Sequence, residues 1–145
     1  MPFPKPVLGL VLRYSYLWRS EHLRGQEEGV KDRPCAVILT TTLEDGQEVV
    51  SVLPITHTPP AEKAWAVEIP AATKARLGLD GERSWVVLTE VNRFVWPGPD
   101  LRPVHSDDSA GVAYGLLPYR FAEEIRMRFL ALVKERRAQV VRRTE

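Results

Sequence analysis

Hydrophobic and polar positions alternate near the start of the chain and recur at spacings of three and four near its end. Across residues 8–18, LGLVLRYSYLW, the side chains of Leu10, Leu12, Tyr14, Tyr16 and Trp18 share one face and Val11, Arg13 and Ser15 the other, which is the period of a strand. A charged, glycine-bearing stretch follows, RSEHLRGQEEGVKDRP over residues 19–34. Sixteen residues is long for a loop in a compact domain, and loops of that size are usually functional. A second strand is expected from Cys35 to Thr41 and a third from Glu48 to Ile55, joined by a turn at Asp45-Gly46. Thr58-Pro59-Pro60 stops the third, because proline cannot donate to a ladder. Ala64 to Ile69 reads as a short strand, and Arg83 to Trp96 as one long strand rich in Val, Trp and Phe.

Two segments carry a helical pattern. Pro70 to Leu77 has proline at its start and Gly78 at its stop. From Pro118 to about residue 140, Phe121, Ile125, Phe129, Leu132 and Val133 form an apolar stripe, with Arg126, Arg128, Lys134, Arg136 and Arg137 largely off it. Residues 100–116 are polar, with scattered Gly, Ser and Asp, and read as a surface loop. About five strands with short connections and a terminal helix predict a mainly β fold: a small, strongly curved antiparallel sheet or half-open barrel covered by that helix. Helices do not alternate with strands, which argues against a doubly wound fold.

Composition adds limits. A chain of 145 residues with 44% apolar and 27% charged residues suits one globular domain. One cysteine, Cys35, excludes an internal disulfide, and its apolar strand marks it as a core thiol. No run approaches the roughly 20 apolar residues of a membrane span, and the start of the chain has no signal-peptide pattern, so a cytoplasmic protein is expected. The net charge of +1 is uneven: residues 119–145 hold eight Lys/Arg against four Asp/Glu. Such a basic end suits nucleic acid, an acidic protein or merely solvent.

Candidate chemistry gathers where two strands end. Arg33 offers a permanent cation with a planar donor fork suited to phosphate, or else a structural ion pair with Asp32 or Glu28. Thr56 offers a hydroxyl that either reaches the same phosphate or caps backbone. His57 is the candidate acid–base group. Neighbours on a strand face opposite ways, so His57 joins Thr56 only if the strand has already broken there. Glu28 either acts as base, orients Arg33, or is a solvated loop carboxylate. Lys31 and Arg93 are candidate groove cations, and Trp18, bordering the long loop, is a candidate for stacking on a base. No metal-ligand spacing or phosphate-cradling glycine loop is present, so no metal or cofactor is expected.

The order of these motifs resembles the MazF/PemK toxins of bacterial type II toxin–antitoxin systems. The resemblance runs from Gly9 through Glu28, Arg33-Pro34, Pro54-Ile55-Thr56, Gly78-Leu79 and Ser84 to Trp96. It implies an SH3-like small β-barrel of the MazF/PemK/CcdB type and a homodimer. It also implies metal-independent cleavage of single-stranded RNA and an antitoxin partner with an acidic tail. The family's functional arginine, threonine and glutamate map to Arg33, Thr56 and Glu28. The alternative is a non-catalytic binding module on the same barrel, including a gyrase-directed toxin that binds through its C-terminal segment.

Overall fold

In the computed structural model, which describes residues 3–20, 32–104, 111–135 and 139–142, the alternating segments form an eight-stranded sheet. The strands are β1 (Leu10–Tyr14), β2 (Arg33–Thr42), β3 (Glu48–Thr56), β4 (Ala66–Glu68), β5 (Trp85–Val87), β6 (Glu90–Val95), β7 (Ala113–Leu116) and β8 (Gln139–Arg142). Two helices accompany them among the described residues, α1 (Ala71–Leu77) and α2 (Tyr119–Lys134), with a short 3₁₀ turn at Lys63–Trp65. The main path runs β4-β5-β3-β2-β1-β7 and does not close on itself. None of these helices is long and apolar enough to cross a membrane.

The β2–β3 hairpin is the spine of the molecule. Gly46 adopts φ 88° at its turn, a conformation open to glycine. Cys35 pairs with Pro54 and Val37 with Val52, but Leu39 pairs with Ser51, so Ile38 is an inserted residue that bends β2. Alternation sends Ala36, Leu53 and Ile55 to one side of the sheet, where Ile125, Phe129 and Leu132 of α2 cover them. Cys35, Val37 and Val52 go to the other side, to meet Leu12, Tyr14 and Phe94. Gly9 lets α2 approach β1: a Cβ there would lie 3.0 Å from that of Ala122, on a backbone with φ 88°.

Three expectations need correction. Arg83 to Trp96 is two strands, not one. β5 pairs with the last residues of β3 and β6 with its first, while Leu88 between them donates its N–H to the Trp65 carbonyl at 2.8 Å. The apolar run is unbroken because Leu88 is itself buried. The terminal helix stops at Lys134 rather than near residue 140. Past it the β-branched pair Val140-Val141 joins β8, which runs parallel to β6, and Val141 is buried. The expected surface loop over 100–116 ends in a strand, β7, paired with β1.

Candidate active site

Arg33 opens β2 and Thr56 closes β3. Extending the Cys35–Pro54 register by two residues sets them opposite each other, about 5 Å apart at Cα. The strand ends at Thr56, so His57 is released from alternation and lines the same cleft. This cleft, of about 570 Å³, is also lined by Trp18, Lys74, Asp80 and Tyr114. Four of the sequence candidates therefore meet here: Arg33, Thr56, His57 and Trp18.

Trp18 is held from behind. The buried Asn92 of β6 accepts from the Leu17 N–H at 2.9 Å and donates to the Leu17 carbonyl at 2.8 Å. Glu90 accepts from the Tyr16 hydroxyl at 3.2 Å and from the Arg19 N–H at 2.9 Å. The indole so placed lies under the Arg33 guanidinium, 4.9 Å from carbon to ring centroid. Arg33 Nε is buried with no hydrogen-bond partner. Asp32, beside it in sequence, turns instead toward Arg13 at 3.7 Å and Arg102 at 3.6 Å.

The far wall is a saturated polar network. Gly78, at φ 73°, ends α1 and turns the chain back so that Asp80 meets the buried Lys74. Lys74 Nζ donates to Asp80 Oδ1 at 2.6 Å, to Ser84 Oγ at 2.7 Å and to the Glu82 carbonyl. Asp80 Oδ1 also accepts the Glu82 N–H at 3.1 Å, and Oδ2 lies 2.8 Å from His57 Nε2. The Lys74 ammonium, ahead of the Glu82 N–H and His57, holds the Asp80 carboxyl below the usual carboxylate range, against a smaller opposing push from burial. Burial pushes the Tyr114 phenol up.

With Nε2–H donated to Asp80, the His57 Nδ1 lone pair is left to accept a proton. The Thr56 hydroxyl accepts the Thr58 N–H at 3.2 Å, the backbone-capping use, and retains its own hydrogen to donate. His57, Asp80 and Glu82 place ligand atoms within 4.8 Å of one another and could hold a metal ion, but the Lys74 ammonium already occupies Asp80.

Other candidates lie elsewhere. Arg93 does not join this cleft. It lines a second cavity with Arg142 and Phe94, its Nε 3.5 Å from Ser51 Oγ. The reason is that β6 pairs with the β3 end remote from Thr56. Glu28 and Lys31 lie outside the described residues. Lys74, Asp80 and Tyr114 were not singled out from sequence. One signal for Lys74 was legible: it sits three residues before the buried Leu77, on the inward stripe of a short helix. Tyr114 reaches the cleft through an irregularity in the β1–β7 register between Val11 and Leu12, which sequence periodicity does not reveal.

Comparison with family models, curated proteins and solved structures gives no match.

Proposed function

We propose that this protein is an endoribonuclease that cleaves single-stranded RNA, with the ribose 2′-OH as internal nucleophile and no metal in the step. One observation carries the reading: a buried, unpartnered guanidinium nitrogen on Arg33, in a cleft that also holds a histidine–aspartate pair. A fork with an unused donor is suited to two oxygens of one phosphate. His57 Nδ1 takes the 2′-hydroxyl proton as that oxygen attacks phosphorus. Arg33, helped by the Thr56 hydroxyl, stabilises the charge gathering on the non-bridging oxygens. The 5′-oxygen leaves and takes a proton from the His57 imidazolium. The products are a 2′,3′-cyclic phosphate and a 5′-hydroxyl. Asp80 orients the imidazole throughout.

The reading extends to family and setting. The curved sheet would be an open variant of the SH3-like barrel of MazF/PemK toxins, acting in the cytoplasm as a homodimer and restrained by an acidic antitoxin. The motif order from Gly9 to Trp96 supports this, as does the position of Gly78, Leu79 and Ser84 around the same cleft as Arg33 and Thr56. The test is incubation of the purified protein with varied single-stranded RNA in EDTA, beside Arg33→Ala. Cleavage with cyclic-phosphate ends, lost in the variant, is expected; wild-type protein that leaves every RNA intact defeats the proposal.

A second reading, a non-catalytic or gyrase-directed module, draws on one observation. Tyr119 and Met127 of α2 remain 72% and 62% exposed. Under that reading, loss of the C-terminal segment would abolish function and Arg33→Ala would not.

A further inference from the structure

Beside the main cleft lies a smaller cavity of about 290 Å³ that shares Trp18, Thr56 and Thr58 with it. Its remaining walls include Trp65, Pro59, Pro60 and Val87. The two hollows differ in chemistry. The first is lined by Asp32, Arg33, His57, Lys74 and Asp80. The second has no charged side chain among its described lining residues, only aromatic, aliphatic and hydroxyl-bearing ones.

Trp65 is the unusual member. It is 36% exposed, although large aromatics are normally covered, and no ring or cation stacks on it among the described residues. Its backbone is nevertheless fixed. The Trp65 N–H donates to the Glu62 carbonyl at 3.0 Å, and the Trp65 carbonyl accepts from Leu88 at 2.8 Å. Arg128 of α2 reaches the Lys63 carbonyl of the same turn at 3.4 Å. An indole presented on an anchored turn loses little freedom when a flat ligand stacks on it.

We propose that this cavity is a nucleobase subsite, in which Trp65 stacks a base of the strand whose phosphate lies at Arg33; this rests on the ribonuclease reading above. A strand of RNA joins an anionic phosphate to a flat, uncharged base within one nucleotide. The adjoining hollows separate the same two chemistries across the wall formed by Trp18 and Thr56. The hydroxyls of Thr56, Thr58 and Thr89 ring the cavity and can meet base edges. Stacking accepts every base, so the subsite adds affinity and positions the strand without reading its sequence.

The test measures binding of a short, single-stranded 2′-O-methyl oligoribonucleotide, which lacks the nucleophile and is not cut, against an abasic oligonucleotide of equal length. The wild-type protein is expected to prefer the base-bearing strand by about tenfold or more. Trp65→Ala should lose most of that preference and keep its affinity for the abasic strand. Trp65→Phe should retain much of it. Arg33→Ala should weaken both strands alike. Equal wild-type binding of the two strands overturns the subsite and leaves the ribonuclease reading standing. So does a Trp65→Ala protein that keeps the full preference. Failure to bind either strand overturns both.

Discussion

The cleft holds two cations whose surroundings are opposite. Lys74 is buried and engaged with three acceptors: a carboxylate, a hydroxyl and a backbone carbonyl. Arg33 is less buried, stacks on an indole, and has a buried Nε with no acceptor. An ammonium with three protons and three oxygens around it has no capacity left for a ligand. A guanidinium with an unused donor in a polar cleft does. The contrast teaches that position in a cleft does not identify the working cation; unspent hydrogen-bonding capacity does. On that criterion Lys74 belongs to the architecture of the site and Arg33 to its chemistry.

Substituting the two cations separates these roles. Arg33→Ala should lower RNA cleavage by about 10²–10³-fold, the loss typical of removing a donor to developing charge. Its cost in stability should be only about 1 kcal/mol, since a stacked but otherwise unpaired side chain is removed. Lys74→Met should reverse the pattern. It strands a carboxylate, a hydroxyl and a carbonyl. The cost should be about 2–3 kcal/mol, less than for a fully buried pair because the Asp80 side chain is 49% exposed. Urea denaturation and cleavage rates measured on both variants give the two-way comparison. A large stability loss in Arg33→Ala with little loss in Lys74→Met would invert the assignment.

A third substitution tests how the Arg33 side is built. Asn92→Ala removes both partners of the Leu17 backbone, leaving a buried N–H and carbonyl unsatisfied. A loss of about 1–2 kcal/mol is expected by denaturation. Because Leu17 carries Trp18, the indole should also shift, and cleavage should fall more than the stability loss alone explains. Unchanged cleavage in the folded variant would mean that Trp18 does not help to position Arg33.

Much of this site was legible in the chain because its parts stand at strand ends. Arg33-Pro34 leads into an apolar run, and Thr56 precedes a proline stop, so both boundaries carried their own punctuation. The strands themselves followed from alternation, as did α1 from Pro70 and Gly78. What stayed hidden depends on contacts between distant segments. Nothing local separates β5 from β6, because Leu88 is as buried as its neighbours and the break is imposed by the two partners along β3. The identity of Arg93 suited a groove, yet its strand pairs with the far end of β3. β8 was invisible for a similar reason: its ladder partner, β6, lies some fifty residues back in the sequence.

The smallest expected effect concerns acid, and it tests whether the Lys74 wall is a folded-state network. Asp80 has its carboxyl held below its unfolded value by Lys74. A group of that kind adds stability above its unfolded pKa, near 3.9, and loses it as the pH falls through the lower folded value. Asp80→Asn keeps the shape and removes the titration. The wild type should therefore exceed the variant in urea midpoint at pH 6. That margin should narrow as the pH is lowered from about 4 toward 2. Other depressed carboxyls, Glu68 beside Arg83 and Glu123 beside Arg126, remain in both proteins and cancel in the difference. Lys74→Met should remove most of the same narrowing, since the ammonium is the largest cause of the depression. A margin that stays constant across this range would show that Asp80 gains no charge-dependent contact on folding. The satisfied wall would then no longer serve as the counterpart to Arg33.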